Sequence, residues 1–300
     1  MSTSVSPSAN KAYGILPVCR IWRISRATLY RQRQPRAAGQ AGTGKRRGPP
    51  GPACDTDLVA AIRQDLADSP FHGEGYRKVW ARLRYKGVRT SKRRVLRLMR
   101  EHALLAPHRR GAVRGPRTHD GTITTNRIDE MWGTDLTTTF TRRDGQVAVF
   151  VAVDHCSVEC VGLHAAKRAD RFEALEPVHQ GVRERLGIVA KDAAKGLKLR
   201  HDHGSQYMAD DFHSQIEWLG IESSPAFVRA PEGNGCAERF IRTLKENLLW
   251  VTTFDTIEQL RQALLDFKRR YNEQWLIERH GFRTPAQVRA AQLAPVAIAA

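Results

Sequence analysis

Residues 131–154 read MWGTDLTTTFTRRDGQVAVFVAVD, and the way this stretch folds sets the architecture. Both halves are rich in Thr, Val and aromatic side chains, which suit a pleated, half-buried surface. Asp144-Gly145 stands between them, and an Asp-Gly pair between two such runs predicts a β-hairpin. The second half is almost continuously apolar, as expected of a strand covered on both faces. The first half carries Asp135 in its interior, where Asp is disfavoured, so this residue asks for a reason beyond the strand itself.

Beyond the hairpin, SVECVGLH (157–164) predicts a third antiparallel strand. A helix follows over Asp170–Leu186, expected to bend or break at Pro177 because proline removes a backbone donor. Next come a strand ending near His201, a helix over Asp210–Leu219 and a further short strand. This is an α/β order, extended by a helix over Ile257–Tyr271 and by RTPAQVRAA (283–291). Asp202, inside LRHDHGSQY (199–207), is placed at a strand end beside the first strand, where ligands collect in open α/β sheets. Glu238, inside GNGCAERFIRTLKEN (233–247), lies on a helix whose apolar line is Ala237, Ile241, Leu244 and Leu248. It stands beside that stripe, with Arg242 and Lys245 one and two turns farther along the same side. Gly233 and Gly235 leave the loop ahead of this helix free to let Glu238 settle. Asp135, Asp202 and Glu238 together supply the hard oxygen donors that hold divalent cations for phosphoryl transfer.

The net charge of +18 is unevenly spread. Residues 1–130 hold 27 Lys and Arg against 9 Asp and Glu, whereas residues 131–300 hold 22 of each. A basic, mainly helical N-terminal region joined to a neutral core predicts a polyanion-binding arm. Within it, CRIWRISRATLYRQR (19–33) reads as two short helices with Ser25 as a cap, offering Arg26, Thr28 and Arg31 to DNA. A plain basic hairpin fits the same residues equally well. Residues 33–53 read as a linker, rich in Gly, Pro and cations. Helices resume over 55–69, 75–87 and 91–104. The last starts at Thr90 or Ser91 and buries Val95, Leu98 and Met99. Lys92, Arg93, Arg94, Arg97 and Arg100 are left outside with few acids nearby, which favours contact with a DNA backbone over a merely solvated face. Residues 107–122 form a second basic linker, and the Ala-rich end reads as a loose tail.

Five scattered cysteines suit a reducing, cytoplasmic setting, and the Cys156–Cys160 spacing lacks the second ligand pair of a zinc site. No leader opens the chain, and the apolar run Val147–Val153 is too short to span a bilayer. Nothing here predicts a membrane partner.

The separation of Asp202 and Glu238 by thirty-five residues, the HDHGSQY loop, the spacing of Glu238 to Lys245, and the YNE and RTPAQV segments resemble the transposases of bacterial insertion sequences, relatives of retroviral integrases. The likeness runs from about Cys19 to Val288. It implies a ribonuclease H-like integrase core with a catalytic Asp135, Asp202 and Glu238 triad. It also implies Mg²⁺ as cofactor, with Mn²⁺ able to substitute, held by the same three carboxylates. Strand cleavage and strand transfer on element ends and target DNA would be the activity, with Lys245 and Arg242 as DNA contacts. A homo-oligomer on DNA, and an upstream-frame protein or fusion, are the implied partners. The implied organisation is a helix-turn-helix-like segment (1–32), linker (33–53), helical HTH-like domain (54–106), linker (107–122), catalytic core (123–288) and tail (289–300). Two features depart from the usual pattern. His201 and His203 flank Asp202, open to readings as zinc ligands, DNA contacts or surface histidines, and YNEQWLIERHG (271–281) differs from the common form, so Arg279 and His280 receive no role. A ribonuclease H or other nuclease, and a DNA-binding regulator on an inactive nuclease fold, are the competing readings.

Overall fold

A computed structural model of the chain describes residues 4–33, 54–107, 123–226 and 234–294. All but the first residue of each stretch expected as a linker, Gly233, and the last residues of the tail lie outside the described residues, as does the side chain of Arg31. Contacts divide the chain into two compact units, Met1–Gly51 and Pro52–Ala300.

In the first unit, α1 (Ile15–Ile21) and α2 (Arg26–Arg33) form the expected pair of short helices. Ser25 caps α2, its hydroxyl accepting from the Thr28 amide at 3.2 Å.

The second unit opens with α3 (Asp55–Asp68), α4 (Tyr76–Tyr85) and α5 (Lys92–Glu101). Leu58, Ile62, Val79, Leu83, Val95, Leu98 and Met99 form their shared core. Ser91 caps α5 by accepting from Arg94 N. This bundle is packed onto the larger sheet domain rather than standing apart from it. Phe71 joins that domain's core beside Phe267 and Trp275, Ala81 packs with Leu276 and Phe282, and Asn247 Oδ1 accepts from His72 N at 2.7 Å.

The predicted hairpin is β1 (Met131–Thr141) and β2 (Gly145–Asp154), with Gly145 at φ 73° as the turn requires. β3 (Cys160–Ala166) pairs antiparallel to β2, while β4 (Lys198–His201) and β5 (Glu222–Pro225) add in parallel, giving the order β3-β2-β1-β4-β5. Alternation along β2 sends Ala148, Phe150 and Ala152 to one face, under α6 (Arg171–Leu186) and α7 (Asp210–Trp218). Val147, Val149, Val151 and Val153 go to the other, under α8 (Gly235–Leu244) and α9 (Ile257–Gln274). Two covered faces explain the unbroken apolar run.

α6 is a single helix and is not broken at Pro177. The helix backbone lies directly on the sheet there: a Cβ on Gly162 of β3 would come within 1.8 Å of the Pro177 carbonyl oxygen. That close seat, with Pro177 buried, compensates for one missing helical hydrogen bond. α10 (Pro285–Leu293) continues past the expected end of the core at Val288. Arg289 is buried and donates to Asp129 and Glu159, so the first part of the expected tail is fastened to the start of β1. RTPAQV is a helix start: Thr284 and Gln287 form a reciprocal capping box with Pro285 in the first turn.

Candidate catalytic site

Asp135 lies in β1 opposite Val151 of β2, so its side chain belongs to the face that α8 covers. β1 and β4 run parallel with Met131 opposite Lys198 and Gly133 opposite Arg200. Asp135 and Asp202 each follow that last pair by two residues, Asp202 just beyond the end of β4, and the charge of Asp202 reaches Asp135. Each carboxylate is oriented locally. Asp135 Oδ1 accepts from Leu136 N at 2.8 Å, and Asp202 Oδ1 accepts from Gly204 N at 2.8 Å.

α8 brings Glu238 to this face. Ala237, Phe240, Ile241 and Leu244 are buried against the valines of β2, which leaves Glu238 exposed beside that stripe, as its spacing predicted. The start of α8 is pinned by Asn234, whose Nδ2 donates to the Thr134 carbonyl at 2.9 Å. After Leu244 the helix widens into a π-helical stretch, Lys245–Leu249, of the kind that accompanies functional sites. Lys245 is its first residue and is half-buried.

Electrostatics ties these residues together. Burial raises the Asp135 carboxyl to about 6; the Leu136 amide opposes the rise, the charges of Asp202 and Glu238 add to it, and Lys245 lowers it. Glu238, exposed but partly desolvated against the helix surface, is also raised. Three acidic groups and one cation therefore share one end of the sheet, with the acids repelling one another, an arrangement that a divalent cation would relieve. The donor set fits a hard cation. Among the described residues, however, no three His, Cys, Asp or Glu side chains are gathered closely enough to hold one.

The histidines around Asp202 part ways. His201 is fully buried, its Nδ1 paired with the Asp202 carbonyl at 2.7 Å and its Nε2 with Ser223 Oγ at 2.9 Å, so it is a structural residue rather than a zinc ligand. His203 is exposed. Tyr207 and Tyr271 are buried and their phenols are pushed upward by desolvation, so neither offers a nucleophile.

Several residues assigned to DNA are otherwise engaged. Arg94 and Arg97 both bond Asp55, at 2.5 and 2.7 Å, and Arg97 also reaches Glu101 at 2.8 Å. The expected uncompensated basic face is thus partly neutralised from α3, thirty-nine residues before Arg94 in sequence. Lys92 is exposed with Nζ 4.6 Å over the Trp80 ring, and Arg93 is exposed. Arg242 turns forward to Glu246 at 3.0 Å rather than back to Glu238. Arg26 is exposed, while Thr28 shares a 2.8 Å hydroxyl contact with Ser25.

Spacing left Arg279 and His280 of YNEQWLIERHG without a role, and the fold supplies one for this stretch. Asn272 takes both backbone groups of Cys160 at 2.9 Å, acting as a strand partner at the irregularity between β2 and β3. Arg279 donates to the carbonyls of His155 and Cys156 at 2.7 Å, and His280 pairs with Cys156 O at 2.8 Å, fixing the loop that leaves β2. A buried Asn next to an apolar helix line was the available signal for the first. Among the described residues no helix is long and apolar enough to cross a membrane.

Comparison with known proteins agrees with this layout. An HTH-like domain matches residues 57–112, and two integrase core domain models match 125–231 and 219–290, together more than half of the chain. The transposase InsD of insertion element IS2A/D/F/H/I/K from Escherichia coli is 27% identical over 285 residues, covering 92% of this chain and 91% of that protein. A 48.2 kDa protein of insertion element IS2A, also from Escherichia coli, is 27% identical over 290 residues, covering 94% of this chain and 66% of the relative. Among solved structures, the HTLV-2 integrase catalytic core in its dimeric form with magnesium is 18% identical, with TM-score 0.39, covering 54% of this chain and 97% of that one. The chain carries an HTH-like domain ahead of an integrase core domain and is a homologue of the insertion-element transposases.

Proposed function

We propose that this protein cuts the DNA strands at the ends of an insertion element and joins them to target DNA, with Asp135, Asp202 and Glu238 as its catalytic carboxylates. The observation that supports this reading is the shared electrostatics near the C-terminal end of β4: burial raises Asp135, the charges of Asp202 and Glu238 add to the rise, and Lys245 opposes it. The three carboxylates would hold Mg²⁺ or Mn²⁺. Such ions polarise a phosphodiester and lower the pKa of a bound oxygen nucleophile.

The chain's own residues supply the rest. Asp135, on the rigid centre of the sheet, is the fixed ligand. Asp202 is held by its own Gly204 turn. Glu238, exposed on α8, is the one that travels. Lys245 balances part of the acidic charge before DNA arrives and offers a cation to a strand-end phosphate. Cleavage and joining would proceed without a protein–DNA covalent bond, and the burial and raised phenols of Tyr207 and Tyr271 accord with that. Arg26, Arg31, Lys92 and Arg93 would contribute to phosphate binding. Arg94, Arg97 and Arg242 would do so by exchanging a carboxylate partner for phosphate. A homo-oligomer holding two DNA ends, with or without an upstream-frame partner, is the assembly this chemistry needs.

The test is strand transfer by purified, folded Asp135→Asn, Asp202→Asn and Glu238→Gln proteins on DNA carrying the element ends. Wild-type joining by any of the three refutes the assignment. Cutting of RNA in a hybrid, without joining, would favour the ribonuclease reading.

A further inference from the structure

Three buried asparagines hold backbone in the larger unit, and one of them behaves unlike the others. Asn272 uses both ends of its amide on Cys160, and Asn247 accepts from His72 N and donates to Thr243 O. Asn234 donates through Nδ2 to Thr134 O at 2.9 Å, but its Oδ1 is buried without a hydrogen-bond partner. Facing it across Gly133 is His155, fully buried, whose Nδ1 pairs with the Ile123 carbonyl at 2.8 Å and whose Nε2 is also without a partner. With Nδ1 donating to that carbonyl, Nε2 is an acceptor, so two bare acceptors flank the same glycine. A Cβ on Gly133 would come within 2.8 Å of Asn234 Oδ1 and 2.7 Å of His155 Nε2. A leucine or alanine at 234 would avoid the bare oxygen, and the retained penalty calls for a gain elsewhere.

We infer that Asn234 is a positioning residue for Glu238. Its single bond joins the first turn of α8 to the carbonyl immediately before Asp135, and Glu238 lies four residues on, one helical turn along the same side. The helix start is thereby fixed to the strand that carries the other carboxylate, and Glu238 closes on a cation by side-chain rotation about that fixed point. Gly133 is the residue that allows the amide to come in so closely. The inference rests on the assignment of the three carboxylates and adds to it the device that sets the register between the two elements.

Mn²⁺ binding to the full chain without DNA, followed by calorimetry and by electron paramagnetic resonance, tests this independently of catalysis. Asn234→Ala is expected to weaken Mn²⁺ binding about tenfold or more, the usual effect of losing a group that orients a metal ligand. Asn247→Ala, which removes two buried hydrogen bonds from the same helical run, is expected to melt earlier and yet keep wild-type Mn²⁺ affinity. Wild-type affinity in Asn234→Ala, or an equal loss in both variants, overturns the inference. Should Asn234→Ala fail to fold by circular dichroism, Gly133→Ala takes its place, since the added methyl must displace Asn234 Oδ1. Undiminished Mn²⁺ binding by that variant likewise overturns it. A wild-type protein that binds no Mn²⁺, or Glu238→Gln that binds it as well as wild type, refutes the carboxylate reading itself.

Discussion

Asp135 and Asp202 each follow by two residues the last pair of the parallel β1–β4 ladder, Gly133 opposite Arg200, with Asp202 just past the end of β4. Sixty-seven residues apart in the chain, they come near enough for the charge of Asp202 to add to the rise that burial gives the Asp135 carboxyl. Glu238 is then the only one of the three supplied by a helix, and the three differ in rigidity accordingly. Replacement of any one by its amide is expected to lower strand transfer by more than about a hundredfold, exceeding what loss of an outer orienting group costs. Melting curves of the three variants should remain single cooperative transitions, which separates loss of chemistry from loss of fold.

The raised carboxyl of Asp135 has a consequence for stability. It titrates at an ordinary value of 3.8 in the unfolded chain and at about 6 in the folded one, so folding takes up a proton between those values. Its favourable contribution is complete below the unfolded value and is lost as pH rises through about 6, leaving a penalty of ~3 kcal/mol at neutral pH. In metal-free buffer, Asp135→Asn should therefore be more stable than wild type at pH 7, with the difference closing toward pH 4. Urea midpoints at three pH values read this directly. A difference independent of pH would mean that the carboxyl is not desolvated.

The basic face of α5 should divide into two classes. Arg93 is exposed, and Arg93→Ala should lower the salt dependence of DNA binding by about 0.9 in log-log slope, one phosphate contact. Arg94 is tied to Asp55, and Arg94→Ala should mainly lower stability, by about 1 kcal/mol at this partly exposed pair. Titrations of a generic duplex at several salt concentrations, with urea unfolding alongside, measure both. Equal slopes for the two variants would place Arg94 on the DNA as well.

Asn272→Ala should cost about 2–4 kcal/mol, because it leaves the buried N–H and carbonyl of Cys160 without partners. Chemical denaturation checks the magnitude. A loss under about 1 kcal/mol would show that β3 finds other partners at that point.

The local parts of this fold were legible from sequence. Alternation and the Asp144-Gly145 turn gave β1 and β2, Ser25 and Ser91 marked helix starts, and the apolar line of α8 put Glu238 at its edge. Each depends on residues a few positions apart. What spacing did not show concerns partners distant in the chain. Asp55 neutralises Arg94 and Arg97 from another helix, and Pro177 survives inside α6 because Gly162 of β3 receives the helix backbone. Arg242 chose between two acids four residues away on either side, Glu238 and Glu246, and spacing alone could not decide between them. For the same reason Arg279 and His280 showed no purpose until the loop after β2 was seen to rest on them.

The seat of Phe71 and His72 against Phe267, Trp275 and Asn247 makes the small bundle a lid over an oily wall. A fragment beginning at residue 123 would expose that wall to water and would be expected to clump. Experiments that seek the catalytic half in isolation would do better to start at the beginning of α3 and keep both halves on one polypeptide.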